Sequence, residues 1–312
     1  MLSKTKAKGA TGRRSIYSDL RMDYDLYLML LVPFLFLIVF KYIPMGGQLM
    51  AFQEYDIFEG FFNSPFVGLA NFQKLFETDE FFMVLRNTLL ISVYKILFYF
   101  PIPILMAILL NEVIHSVYKR TVQTIIYLPH FLSWVVVSGL VFDLLSTNGT
   151  INRILVQLGG KHVNFLMTPS YFRSIIVLSA IWKEVGYGSI VFLAAMNAID
   201  PTLYEAAVID GASRLRQIWH ITIPGISSMI VVMLLLRIGT IMDANSEQIL
   251  ALYNPTVYET GDVLGTYIYR MGLSNMQYSF AAAAGIFNSL VSFTLVVIGN
   301  FFSRKIAHRS LW

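Results

Sequence analysis

Six long apolar runs, at about 26–43, 83–110, 122–145, 172–198, 226–246 and 279–302, constrain this chain more than any other feature. Each comes near the roughly 20 residues that a helix needs to cross a bilayer. None shows the strict alternation of a membrane strand. In hydrocarbon every backbone N–H and C=O must be satisfied within the protein, and a helix does this within its own segment. The expected fold class is therefore an all-α integral membrane protein with six transmembrane helices. Composition agrees: 56% of 312 residues are hydrophobic and 13% charged, which excludes an ordinary soluble domain. No internal repeat is visible, so the expected organisation is one membrane domain at 26–302. A basic tail at 1–25 and a short tail at 303–312 flank it.

Charge orients the helices. The N-terminal tail (Lys4, Lys6, Lys8, Arg13, Arg14, Arg21), the 111–121 turn (Lys119, Arg120), the 199–225 loop (Arg214, Arg216) and the C-terminal tail (Arg304, Lys305, Arg309) hold thirteen basic residues. The other side holds five: Lys41, Lys74, Arg153, Lys161 and Arg270. By the positive-inside rule both termini and the 199–225 loop are expected in the cytoplasm. The basic tail reads as an orientation signal that touches anionic lipid, with no nucleic-acid partner. No small-residue cleavage site follows the first run, so it is expected to stay as a span.

The 199–225 loop has readable local mechanics. Asp200 can cap a helix whose first residue is Pro201, because that ring pre-sets φ and its missing N–H would be unpaired there anyway. The helix should run to about Asp210. Gly211 then permits a change of direction that a Cβ would resist. Beyond the turn, Leu215, Ile218, Trp219 and Thr222 fall on one face, as in an interfacial helix, and Pro224 is expected to break it from the next span.

The stretch Glu205-Ala206-Ala207-Val208-Ile209-Asp210-Gly211-Ala212, with Ile221-Thr222-Ile223-Pro224 after it, resembles the EAA loop of bacterial ABC-importer permeases. That pattern runs E-A-A, three residues, G, nine residues, I-x-L-P, and Ile223 stands where Leu is usual. The resemblance extends to the outer loops. Lys41-Tyr42-Ile43-Pro44-Met45, Gln53-Glu54-Tyr55-Asp56 and Pro65-Phe66-Val67-Gly68-Leu69 look like the first outer loop of sugar-type permeases. Ile249 to Pro255, Val257 to Val263 and Thr266 to Arg270 look like the last outer loop of the LplB-like branch.

The resemblance implies a type I ABC-importer permease fold with a cytoplasmic coupling helix. It also implies a bacterial cytoplasmic-membrane location and import of oligosaccharides, including fragments of polysaccharides. The partners it implies are a second homologous permease in a heterodimer, two ATPase subunits and an extracytoplasmic solute-binding protein. It assigns ATPase coupling to Glu205, Ala206, Ala207, Asp210, Gly211 and Pro224. A helix seated in a groove is physically able to carry such coupling.

Several absences bear on function. No G-x-x-x-x-G-K-[ST] is present to cradle ATP phosphates, and neither H-E-x-x-H nor a G-x-S-x-G elbow occurs. No intrinsic catalysis and no cofactor are expected. His115, His130, His162, His220 and His308 are scattered over different segments, so surface or hydrogen-bonding roles are expected of them rather than metal binding.

Ionisable groups deep in a span are costly and point to pairing or to a water-filled path. Lys95 lies midway in the second run, Lys183 and Glu184 near the middle of the fourth, and Arg237 and Asp243 in the fifth. Successive residues point apart on a helix, so Lys183 and Glu184 are expected to use different partners. A sugar path needs hydroxyl partners and aromatic faces together. The candidates are Trp134, Trp182, Lys183, Glu184, Tyr187, Asp243 and Asn245, with Lys183 and Arg237 suited to an acidic saccharide.

Two other classes remain open at this level. An ion-coupled secondary transporter or channel for a polar solute would show repeats, discontinuous helices and transport that survives loss of ATP. A membrane enzyme acting on lipid-linked glycans would need clustered carboxylates. The outer Glu54, Asp56, Glu59, Glu77, Asp79 and Glu80 read instead as a solvated surface for a binding protein.

Overall fold

The computed structural model describes residues 24–307. The basic residues from Lys4 to Arg21, His308 and Arg309 lie outside the described residues. Among the described residues six helices are long and apolar enough to cross a membrane. One unit of the chain ends at Leu49 and another begins at Met50.

The first long helix is α1 (Tyr24–Phe52). After the loop that follows come α2 (Ala70–Glu77), α3 (Asp79–Glu112), α4 (Ser116–Tyr127), α5 (Trp134–Leu145) and α6 (Thr150–Gln157). Then follow α7 (Pro169–Asn197), α8 (Pro201–Ile209), α9 (Arg214–Gly239), α10 (Ser246–Leu252), α11 (Leu264–Tyr269) and α12 (Tyr278–Ala307).

Within the second unit α7 is the central helix. Of its most apolar stretch 56% is buried, against 17–28% in the other long helices there. It packs on the second half of α3, on α9 and on α4. Toward its C-terminal end it joins a core of Ala107, Leu110, Phe192, Leu193, Met196 and Ile226. Another core, of Phe81, Val84, Met242, Tyr267, Phe280 and Ala284, ties α3 to α11 and α12. Gly186 lets α4 approach α7, because a Cβ there would overlap the Ile126 carbonyl. Such close backbone approach replaces the hydrophobic drive that lipid withholds. The outward faces stay apolar: Val135 is 72% exposed and Phe293 67%, a surface that only lipid or another apolar partner can cover.

Prolines are accommodated by widened turns. π-turns at Ile38–Tyr42, Lys95–Tyr99 and Ile218–Thr222 each precede a proline by one intervening residue: Pro44, Pro101 and Pro224. Proline lacks an N–H and crowds the carbonyl four residues back. A five-residue bond such as Phe100 N–H to the Lys95 carbonyl, 2.9 Å, loosens the ladder where that crowding falls. Pro224 therefore does not break its helix, contrary to the expectation from sequence. Residues 214–239 run as one long helix.

Two further boundaries differ from the apolar runs. The third run is interrupted: α4 ends at Tyr127, a 3₁₀ turn spans Leu128–Phe131, and α5 restarts at Trp134. Pro129 removes a donor, and the Ser133 hydroxyl accepts from Val136 N–H to cap the new helix. The fifth run ends early, because α9 stops at Gly239. Residues 240–245 form turns in which Ala244 and Asn245 are left-handed, with φ of 49° and 62°. Two freed carbonyls there are taken by α3: Ser92 Oγ donates to Ile241 and Lys95 Nζ to Ala244. Beyond the turn at Gly211, Leu215 and Trp219 are exposed while Thr222 is buried, so the expected apolar face is divided between packing and surroundings.

Candidate functional site

The 199–225 loop is built by local rules. Asp200 caps α8 by accepting from Thr202 N–H at 2.9 Å, and that bond holds its carboxyl below the usual carboxylate range. The helix ends at Ile209, with Gly211 at φ +72°. Gly211 N–H donates to the Val208 carbonyl and Ala212 N–H to the Ala207 carbonyl, 3.1 and 2.8 Å, which is a Schellman close. The Ser213 hydroxyl accepts from Arg216 N–H to begin α9. Tyr204 and Thr222 share a hydroxyl hydrogen bond of 2.9 Å, and Gln217 donates to the Ala212 carbonyl, so the two helices are held as a hairpin.

This rigid hairpin presents an exposed surface. Leu203, Val208 and Ile209 are 52%, 61% and 86% exposed. Glu205, Ala206, Asp210 and Pro224 are also exposed, and Ala207 is half-buried. A Cβ at Gly211 would meet no atom within 4 Å, so that glycine serves backbone conformation alone.

The interior candidates divide into two clusters. In the first, Lys183 Nζ donates to Glu184 Oε1 at 2.8 Å and to the His130 carbonyl at 2.9 Å. Glu184 Oε2 lies 2.6 Å from His130 Nδ1, the His130 ring stacks on Tyr187 at 3.8 Å, and the ammonium stands over the Trp134 ring at 5.1 Å. Lys183 and Glu184 thus pair with each other, which corrects the expectation of separate partners. The lysine stem is long enough to fold back across the angle between neighbours on the helix. The break in the third run supplies the carbonyl that the lysine takes. Trp182, half exposed, stands outside the cluster.

The second cluster centres on Lys95, which is 1% exposed. Besides the Ala244 carbonyl its Nζ donates to Gln248 Oε1 at 2.8 Å, and Gln248 Nε2 donates to the Ile176 carbonyl and Ser179 Oγ. Asp243 and Asn245 line a small cavity of about 30 Å³ beside Lys95 and Arg237. Arg237 also lines a larger, half-open cavity of about 260 Å³ with Tyr99, Phe100, Pro103, Gly188 and Phe192. Its guanidinium stands 5.2 Å over the Tyr99 ring.

A third network joins the 258–270 segment to α3 and α7. Arg270 donates at 2.7 Å to both Glu80 and Asp262, and lies over Tyr258 at 4.7 Å. Burial pushes the Asp262 carboxyl up, opposed by Thr266 and Arg270. Asn87 donates to the Glu259 and Asp262 carbonyls and accepts from Arg173 at 2.8 Å. Glu80 is therefore partly committed to packing and is not a wholly solvated acid. Sequence reading missed Arg173, Asn87, Tyr99 and Gln248; the hydrogen-bonding role expected of His130 is met by Glu184, though its place in this cluster was not foreseen.

Known proteins agree with this architecture. The family model described as "binding-protein-dependent transport system inner membrane component" matches residues 99–309. The polygalacturonan/rhamnogalacturonan transport system permease protein YteP of Bacillus subtilis is 44% identical over 96% of this chain and 94% of its own. Protein LplB of the same organism is 42% identical over 94% and 92%. Among solved structures, a chain of the bacterial alginate ABC transporter in complex with alginate pentasaccharide-bound periplasmic protein is similar at a TM-score of 0.88. It is 43% identical, with 96% of this chain and 100% of that one covered.

Proposed function

The chain belongs to the binding-protein-dependent transport system inner membrane components, with the type I permease fold, and from that premise we propose that it imports oligosaccharides delivered by an extracytoplasmic binding protein. It is a membrane subunit of an ABC importer and not an enzyme in its own right. The observation that carries the fuller reading is the α8–α9 hairpin. It is capped by Asp200 at the start of α8 and by Ser213 at the start of α9 and closed by Gly211, yet it leaves Leu203, Val208 and Ile209 exposed. A segment held that firmly while presenting apolar groups suits a groove on another protein.

In this reading two ATPase subunits grip the hairpins of this chain and of a second, homologous permease. Glu205 provides an acidic contact, Ala206 and Ala207 a close-packed face, Asp210 and Gly211 the turn, and Pro224 the link into the span. The hairpin and both termini face the cytoplasm of a bacterium, as the basic residues suggest. ATP binding favours one access state because the ATPase pair contacts the hairpins differently in each state. The saccharide passes through the interior polar region, among Trp134, Lys183, Glu184, Tyr187, Asp243 and Asn245. Trp182 reaches the path only where the second permease closes over it. The names of the relatives, which concern polygalacturonan, rhamnogalacturonan and alginate, support a saccharide cargo.

The test is uptake by the complete complex in lipid vesicles, with a panel of neutral and acidic oligosaccharides. Uptake that needs both ATP and binding protein is expected. Uptake driven by an ion gradient without ATP would overturn the reading in favour of a secondary carrier.

A further inference from the structure

Arg237 differs from the other interior cations. Lys183 is paired with Glu184, and Lys95 is buried with its ammonium on Ala244 and Gln248. Arg173 is held by Asn87 and the Thr260 carbonyl, and Arg270 by two carboxylates. Arg86 stands exposed near the start of α3, where a long side chain can reach headgroups. Among the described residues no carboxylate lies within 4 Å of Arg237, and its side chain makes no hydrogen bond; the Tyr99 ring is its partner.

Its surroundings complete the argument. Tyr99 and Gly188, which share its cavity, lie near the middle of α3 and α7, so the guanidinium sits at the depth where an uncompensated charge is costly. Asp243 lines the smaller cavity with it but forms no ion pair. Proteins keep such a charge where an opposite charge arrives from outside. A guanidinium presents a flat fork of N–H donors that matches a carboxylate in two parallel hydrogen bonds. The same cavity supplies the rings of Tyr99, Phe100 and Phe192, the apolar faces on which a sugar ring can stack. At about 260 Å³ it falls just below the ~300 Å³ at which small-molecule sites begin, so it suits one unit of a chain.

We propose that Arg237 receives the carboxylate of one uronic acid unit of the passing chain, so that this permease selects acidic oligosaccharides over neutral ones of the same length. The proposal rests on the importer reading above and names the cargo class of that same path.

The experiment uses the complete complex in vesicles with two probes: an oligogalacturonate and the same oligomer with its carboxyls methyl-esterified. Turnover is measured per loaded binding protein, so that the binding protein's own preference cancels. Wild type is expected to move the acid faster than the ester. Arg237→Gln is expected to raise the half-saturating concentration for the acid by about tenfold, to narrow the gap between acid and ester, and to be only partly rescued by Arg237→Lys, which restores the charge but not the fork. Equal handling of acid and ester by wild type overturns the proposal without any variant, and so does unchanged acid uptake by an assembled Arg237→Gln complex. Either result leaves the importer reading standing. Absence of ATP-dependent uptake of every saccharide by wild type would instead overturn that reading and this proposal with it.

Discussion

The α8–α9 hairpin and the interior polar clusters are both made of a few charged and polar residues between apolar stretches, yet they are stabilised in opposite ways. Each bond that shapes the hairpin spans a short stretch of chain: Asp200 to Thr202, Ala212 to Ala207, Ser213 to Arg216, Tyr204 to Thr222. In the interior the decisive bonds join distant segments: Lys183 to His130, Lys95 to Ala244, Gln248 to Ile176. A hairpin closed by its own residues can move as one piece against a partner. An interior closed by distant residues locks whole helices to one another, and its loss should be felt throughout the fold.

The largest expected effect tests the interior. Lys183→Met leaves Glu184 without its ammonium partner and removes the donor on the His130 carbonyl. Glu184 is partly exposed and keeps His130, so the cost falls toward the lower end of the ~3–5 kcal/mol of breaking a fully buried pair, read as a fall in the thermal midpoint of the purified chain. The double variant Lys183→Met with Glu184→Gln should recover much of the loss. A single variant that melts with wild type would show that the cluster does not hold α7 to the 128–133 break.

A smaller and more local effect is expected from Gly211→Val. A β-branched residue held left-handed carries about 1–3 kcal/mol of strain, and with no neighbour to clash with, the damage stays in the turn. Membrane insertion should be unchanged and the thermal midpoint should fall by only a few degrees, while ATP hydrolysis no longer drives uptake; tight coupling in that variant would remove the turn from the mechanism. Smallest of all should be Glu205→Ala. One exposed charge rarely carries an interface, so recruitment of the ATPase should weaken by less than about tenfold. Full retention in a pull-down would end the case for direct contact, and complete loss would mean that the surface is more charge-dependent than Leu203, Val208 and Ile209 suggest.

The contrast also explains what was legible beforehand. The cap at Asp200, the start at Pro201 and the turn at Gly211 follow from the chemistry of adjacent residues, and each stands where sequence places it. Pro224 misled because a proline reads locally as a break, whereas the π-turn at Ile218–Thr222 widens the ladder to admit it. The third run misled for the converse reason. Its hydropathy continues smoothly across Pro129, but α7 supplies Lys183 to take a carbonyl that a broken helix leaves open, and the interruption becomes affordable in lipid. The discontinuity that would mark a secondary carrier is thus present in an ABC-importer subunit. Lys183 and Glu184 stand out in the sequence as costly charges that need partners, but not as each other's partners, because helix geometry fixes Cα directions and not where a long side chain ends.

By itself the sequence determined that the chain is helical and membrane-embedded, where its second, fourth and sixth spans fall within several residues, and how the α8–α9 hairpin turns. Those properties depend on hydropathy, φ preferences and caps, all of which act over a few neighbouring residues. Only the tertiary structure decided which intramembrane charges are neutralised and which remain available. That depends on groups far apart in the chain meeting at one depth: Lys183 is paired across the broken third run, Lys95 is enclosed by the 240–248 turn, and Arg237 is left facing a cavity of aromatic rings, with no carboxylate within 4 Å among the described residues.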